Sequence, residues 1–157
     1  MAAIEGLGHV AIHCEDIMRM RDFYTRVLGL IISDEDLEER GMCFLSADPA
    51  QEHHEFVLAK GRDVPRDGIL VNQISFKVRS LDDVRTLYHR VKEEGMRIQG
   101  AVSHGNALGF YFYDPEDNRV ELYYKTGYKV VQPNYRPIDL EKPNEELLAF
   151  ARSFEVS

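Results

Sequence analysis

The feature that most constrains the fold is a repeat: two segments align when one is shifted by 64 residues, from His9 to Gln73. The first segment reads "HVAIHCEDIMRMRDFYTRVLGL" and the second reads "QISFKVRSLDDVRTLYHRVKEE". Four pairs of residues are identical between them: Arg21 and Arg85, Tyr24 and Tyr88, Arg26 and Arg90, Val27 and Val91. Such a duplication predicts a core built from two similar supersecondary units.

Each copy begins with a short strand. Val10 and Ile12 alternate with more polar residues in the first copy, and Ile74, Phe76 and Val78 do so in the second. A period of two is typical of a strand with one buried face.

A helix is predicted after each of these strands. Asp16 is the expected N-cap in the first copy, and Ser80 is the expected N-cap in the second, where Asp83 occupies the capping-box position. Apolar side chains then recur at helical spacing in both copies: Ile17, Met20, Tyr24 and Val27; Leu81, Val84, Tyr88 and Val91.

Further strand-like segments follow each helix. They read "GMCFLSAD" and "HHEFVLAK" in the first half, and "MRIQGAVSH", "LGFYFYDP" and "NRVELYYK" in the second. The predicted fold class is α+β, with two β-α-β-β-β modules at about residues 5–62 and 68–126. These modules form one domain, residues 1–126, and a proline-punctuated C-terminal arm, residues 127–157, ends in a short helix.

Composition and charge exclude several classes of protein. The chain has 157 residues, of which 44% are hydrophobic and 29% charged, as in ordinary globular domains. It has no apolar run long enough for a membrane span and no signal-peptide pattern, so we expect a cytoplasmic protein that does not bind membranes. The net charge of -8 argues against nucleic acid as a partner. Cys14 and Cys43 have no metal-binding spacing and are expected to be buried, reduced thiols.

The sequence resembles the vicinal oxygen chelate superfamily, which includes glyoxalase I, extradiol dioxygenases and antibiotic-resistance proteins. The resemblance covers about residues 5–125 and rests on "GHVAIHCEDI", "FYTRVLGL" and "FYFYDPEDNRVELYY". It implies that the two modules form a cupped mixed sheet around a divalent metal. The ligands it implies are His9, Gln73 and Glu121, where Gln73 takes a place that most iron-containing members give to histidine. The repeat independently makes Gln73 the counterpart of His9.

Within the superfamily, three positions resemble extradiol catechol dioxygenases. His54 matches a histidine on the last strand of the first module, His104 begins a His-Gly pair, and Tyr111 lies ten residues before the ligand glutamate. The resemblance implies ring cleavage of a catecholic aromatic by dioxygen, with Fe(II) as the metal and Mn, Ni or Zn as alternatives. His54 is then the acid–base residue, because a histidine side chain can both accept and donate a proton near neutral pH, and His104 and Tyr111 hold the substrate oxygens.

Two alternatives remain open at this stage. A register change of two residues would place Glu55 opposite Glu121, giving a four-ligand set of His9, Glu55, Gln73 and Glu121 as in a glyoxalase I-like lyase or epimerase. The glutamine is also the expected mark of a lost iron site, which would make the protein a non-catalytic binder of small molecules. In each case we expect a homo-oligomer, such as a dimer.

Overall fold

The computed structural model describes residues 6–68 and 71–156. The chain divides into two units, Met1–Gly68 and Ile69–Ser157. Ile69 and Leu70, near the start of the predicted second module, lie outside the described residues. In the part of the chain that is described, no helix combines the length and hydropathy needed to cross a membrane.

The first unit has the predicted β-α-β-β-β order and contains one four-stranded sheet. Its strands follow the order β1-β4-β3-β2, in which β1 and β4 are parallel and the other neighbours are antiparallel. The elements are β1 (Val10–Cys14), α1 (Ile17–Asp22) with a π-helical continuation (Phe23–Val27), β2 (Ile31–Asp36), β3 (Met42–Ser46) and β4 (Phe56–Lys60).

The second unit repeats this order and adds one short strand and one helix. Its sheet has the order β5-β8-β7-β6-β9, again with one parallel pair, β5 and β8. The elements are β5 (Ile74–Lys77), α2 (Leu81–Glu93), β6 (Ile98–Ser103), β7 (Ala107–Tyr113), β8 (Arg119–Lys125), β9 (Arg136–Pro137) and α3 (Asn144–Arg152).

The strand registers confirm the repeat residue by residue. Val10 lies opposite Phe56 in the first unit, and Ile74 lies opposite Val120 in the second, so both members of the pair move by 64. The register therefore makes Val57 the counterpart of Glu121, and Glu55 the counterpart of Arg119. The two-residue register change that would have matched Glu55 with Glu121 does not occur.

Both predicted helix starts are confirmed. The side chain of Asp16 accepts a hydrogen bond from the Arg19 amide, and Ser80 accepts one from the amide of Asp83. These bonds satisfy amide groups that have no partner inside the helix. The apolar faces pack inward as the helical spacing predicts, and all four such residues of the first helix are buried.

Two details differ from the sequence-based expectation, and a third observation concerns the C-terminal helix. Strand β2 had no predicted counterpart, because Ile31–Asp36 carries charged residues that hide its alternation. His54 precedes β4 by two residues and does not lie on that strand. The C-terminal helix docks through Leu147 and Ala151, whereas Phe150 keeps 39% of its surface exposed.

Candidate functional site

A buried carboxylate lies on an inner strand of the second sheet. Glu121 occupies the middle of β8, between Val120 and Leu122, and only 7% of its surface is exposed. The register places it opposite Ser75 of β5 on one side and Tyr111 of β7 on the other. Because burying a carboxylate is costly unless it is paired, its hydrogen bonds define the site.

Two neutral donors reach the same oxygen of Glu121. Ser75 Oγ donates to Glu121 Oε2 at 2.6 Å, and Gln73 Nε2 donates to it at 3.1 Å. Hydrogen bonds to a carboxylate are stronger than those between neutral groups, so they hold the buried side chain in place.

Gln73 links this carboxylate to a cation. Its Oε1 accepts a hydrogen bond from Arg119 Nη1 at 2.8 Å, while its Nε2 faces Ser75 and Glu121. Turning the amide over would point its oxygen at a carboxylate and its NH2 at a guanidinium, so the surrounding charges fix its orientation. The amide of Gln73, directly before β5, is therefore a bridge between Arg119 and Glu121.

A histidine and a tyrosine complete the cluster. His104 Nε2 lies 3.1 Å from the Tyr111 hydroxyl and 3.8 Å from Glu121 Oε1. Burial raises the pKa of Tyr111, the hydrogen bond and charge of Glu121 raise it further, and the charge of Arg119 opposes them. The phenol consequently keeps its proton at neutral pH and acts as a hydrogen-bond donor. The Arg119 guanidinium also lies 4.1 Å from the centre of the Tyr111 ring.

The tight turn between β7 and β8 determines which residues of the two strands lie opposite each other. Asp114 Oδ1 accepts hydrogen bonds from the backbone amides of Glu116 and Asn118, each at 2.9 Å. Asp117 adopts a φ of 63°, a conformation that aspartate tolerates better than most residues. The closed turn brings β8 back so that Glu121 lies opposite Tyr111.

Three histidines of the first unit lie close together: His9, His53 and His54. The rings of His9 and His54 lie 4.5 Å apart, and Phe44 contacts His54 edge-on at 5.1 Å. His54 Nδ1 is 2.8 Å from His53 Nδ1. Glu55 points its carboxylate to the backbone, where Oε2 accepts from the Ala47 amide at 2.8 Å.

The structure thus sorts the predicted site residues into two groups. Gln73, His104, Tyr111 and Glu121 form a single hydrogen-bonded cluster in the second unit, whereas His9 and His54 are neighbours in the first. Ser75 and Arg119 were not among the predicted site residues. Period-two alternation indicates both, because each lies two residues along the chain from a predicted ligand.

The donor chemistry of the second unit suits a hard divalent cation in part. A carboxylate from Glu121 and an amide oxygen from Gln73 are oxygen ligands of the kind that Mn(II), Mg(II) and Fe(II) accept. One lone pair of the Gln73 oxygen already binds Arg119, which would compete with a metal for that ligand. Within residues 6–68 and 71–156, no three side chains of His, Cys, Asp or Glu are grouped so that they could hold a metal ion.

The sequence matches the profile of the Glyoxalase/Bleomycin resistance protein/Dioxygenase superfamily over residues 6–122. The chain belongs to this superfamily. The matched region includes both β-α-β-β-β modules up to Leu122 and stops before the C-terminal arm. The superfamily contains enzymes of several kinds, dioxygenases and lyases among them, and many of its members bind divalent metals.

Biphenyl-2,3-diol 1,2-dioxygenase 2 of Rhodococcus globerulus is 28% identical over 126 residues, which cover 78% of this chain and 64% of the relative. The chain therefore spans less than two thirds of the length of that dioxygenase.

Two solved structures share the fold at lower identity. Lactoylglutathione lyase from Agrobacterium tumefaciens is 16% identical, with a TM-score of 0.59 over 78% of this chain and 96% of that one. The fosfomycin resistance protein FosX from Listeria monocytogenes is 19% identical, with a TM-score of 0.60 over 77% and 93%. These likenesses show the fold alone.

Proposed function

We propose that the protein is a metal-dependent, extradiol-type ring-cleaving dioxygenase that acts on a catecholic aromatic compound. The observation that carries this proposal is the cluster in the second unit, where His104 Nε2 lies 3.1 Å from the Tyr111 hydroxyl and 3.8 Å from the buried carboxylate of Glu121. The similarity to a dioxygenase whose name specifies a vicinal diol supports the same chemistry.

The side chains of the cluster are suited to hold two adjacent oxygen atoms of a substrate. Tyr111 keeps its proton and donates, whereas His104 offers a ring nitrogen close to the same hydroxyl. Glu121 supplies negative charge on the other side of that nitrogen, which would stabilise a proton taken from the diol. The three groups together would orient the diol and accept its proton.

Glu121 and Gln73 would hold the metal through their oxygens, and His9 remains the third predicted ligand. A bound Fe(II) would supply Lewis acidity towards the diol and the redox chemistry for dioxygen. His54 is proposed as the acid–base residue of the first unit, where its ring packs against that of His9.

The glyoxalase-like alternative loses one of its ligands. The strand register makes Glu55 the counterpart of Arg119, and the Glu55 carboxylate accepts a hydrogen bond from the Ala47 amide. A four-ligand set containing Glu55 therefore has no support from strand pairing.

A binder without catalysis is the second candidate, and one contact favours it. Arg119 donates a hydrogen bond to the side-chain oxygen of Gln73, so these polar groups satisfy one another without a metal. In that case the cluster would bind a phenolic or anionic small molecule through Arg119, His104 and Tyr111.

Oxygen uptake by the anaerobically Fe(II)-reconstituted protein, measured over a panel of catechols, tests the proposal. Tyr111→Phe should lower kcat by about a hundredfold, since it removes a donor to the substrate. Tyr113→Phe is the matched control, because Tyr113 lies on the same strand but stacks on Arg97 at 3.3 Å. Tight binding of catechols without oxygen uptake would contradict the dioxygenase proposal and support a non-catalytic binder.

A further inference from the structure

The C-terminal arm, residues 127–157, crosses the His104–Gly105 turn of the second unit. Strand β9 of the arm pairs with β6, where Arg136 lies opposite Ser103. Just before the arm, Thr126 Oγ1 donates to the Gly105 carbonyl at 2.8 Å. The turn that carries His104 is therefore held between the sheet and the arm.

Gly105 allows the arm to approach this closely. Its φ of +75° is one that side chains rarely adopt, and a Cβ built on it would lie 2.7 Å from Val130 Cγ2. The His-Gly pair recognised in the sequence thus has a packing reason: the glycine makes room for the arm beside the histidine.

The arm supplies the partner of the second ring nitrogen of His104. Nδ1 lies 2.6 Å from the backbone carbonyl oxygen of Asn134. A carbonyl only accepts, so Nδ1 carries the proton of the neutral ring. Nε2 is then the unprotonated nitrogen, and it faces Tyr111 and Glu121.

One side chain of the arm holds this carbonyl in position. Gln132 Nε2 donates to the His104 backbone carbonyl at 2.8 Å, and Gln132 Oε1 accepts from the Asn134 amide at 3.0 Å. Gln132 therefore joins the backbone of the histidine to the backbone of the residue that binds its ring. The neighbouring Tyr135 ring packs edge-on against the imidazole, with the ring centres 5.8 Å apart.

We propose that Gln132 is a positioning residue that fixes the tautomer of His104 and turns its Nε2 towards the substrate oxygens. The role in substrate binding rests on the proposed function, whereas the tautomer itself does not. The C-terminal arm, which lies beyond the superfamily match, is then a working part of the site in this protein.

The test is the nitrogen-15 NMR spectrum of the His104 ring in the full-length protein at a pH where the ring is neutral. The wild type should show Nδ1 protonated and Nε2 unprotonated. Gln132→Leu should lose this single-tautomer pattern, because the Asn134 carbonyl is no longer tied to the histidine. Val131→Ala is the matched control, since Val131 is 68% exposed and lies next to Gln132. It should keep the wild-type pattern.

Gln132→Glu tests the two hydrogen bonds of this side chain separately. It keeps an acceptor for the Asn134 amide and loses the donor to the His104 carbonyl, so its spectrum should fall between those of the wild type and Gln132→Leu. A His104 tautomer that is the same in the wild type and in Gln132→Leu would overturn the proposal, provided that the two proteins give the same circular dichroism.

Kinetics distinguish this inference from the function on which it rests. If the wild type cleaves catechols, Gln132→Leu should lower kcat by about tenfold while KM changes less, because the ring nitrogen and not the pocket is disturbed. If the tautomer changes in the variant but no catechol is cleaved by the wild type, Gln132 still positions His104 and the dioxygenase proposal fails. An unchanged kcat in an active protein whose tautomer has changed would refute the link to the substrate.

Discussion

Gly109 is the residue whose substitution tests the strand register around the site most directly. It lies on β7 opposite Tyr123 of β8. A Cβ at this position would lie 2.8 Å from Tyr123 Cβ and 2.9 Å from Tyr123 Cα, and it would also collide with the Leu122 carbonyl oxygen. These are mainly backbone atoms, so Gly109→Ala can be accommodated only if β8 moves.

The expected cost follows from the size of this overlap. Forcing one extra carbon into a well-packed core costs about 1–3 kcal/mol. Gly100→Ala is the matched control, because Gly100 lies on β6 of the same sheet and a Cβ there meets nothing within 4 Å. Replacing a glycine by alanine in open space stabilises a protein by about 0.4–1 kcal/mol through the unfolded chain. The effect on the unfolded chain is common to both substitutions and cancels, so the two variants should differ by about 1–3 kcal/mol in the free energy of unfolding.

Urea denaturation followed by circular dichroism measures this difference, and a thermal melt should place Gly109→Ala about 2–12 °C below Gly100→Ala. Because Leu122 directly follows Glu121, movement of β8 should also weaken the interactions of that carboxylate. Equal stability of the two variants, within about 0.5 kcal/mol, would show that β7 and β8 are not paired in this register.

Three further outcomes are expected. The folded state raises the pKa of Tyr111 above its ordinary value of 10.0. The contribution of Tyr111 to the free energy of unfolding is therefore complete below pH 10 and is lost as the pH rises above that value. Denaturant midpoints of the wild type should fall more than those of Tyr111→Phe between pH 9 and about 11, and parallel curves would contradict the buried phenol. Burial raises the pKa of the Cys43 thiol to about 11, helped by the charge of Glu35 and opposed by Arg21. Ellman's reagent at pH 8 should react with it only after unfolding, whereas rapid reaction of the native protein would count against its burial. Gln73→His should bind Fe(II) or Ni(II) at least about tenfold more tightly than Gln73→Leu, because imidazole coordinates both metals and the leucine side chain has no donor atom. Calorimetric titration of the apoproteins measures this, and equal affinities would remove position 73 from the metal ligands.

The prediction of elements from the sequence succeeded where the pattern was local. Asp16 and Ser80 begin helices because a side-chain oxygen next to the first turn satisfies amides that no other group can reach. The same reasoning missed β2, whose charged residues hide the alternation, and it placed His54 on a strand that begins two residues later. Boundaries are hard to predict because backbone pairing, and not side-chain type, decides where a strand begins.

The sequence allowed several residues of the candidate site to be predicted, but not the hydrogen bonds between them. The 64-residue shift marked Gln73 as the counterpart of His9, and an acidic residue between Val120 and Leu122 marked Glu121. Nothing in the local sequence indicated that Arg119 would bind the amide oxygen of Gln73, or that Asn134 would bind the ring of His104. These contacts join residues 46 and 30 positions apart in the chain.

The sequence by itself determined that the chain is a duplicated β-α-β-β-β protein with polar residues at matching strand positions. Periodicity, helix capping and repetition are patterns in the order of residues along the chain, so they can be read directly from the sequence. Only the tertiary structure decided what those polar residues do. Strand pairing brings Gln73, Arg119 and Glu121 together and makes the amide a bridge, and the arm returns to fix the tautomer of His104. Hydrogen bonds depend on distances of a few tenths of an ångström between distant parts of the chain, which only the folded backbone sets.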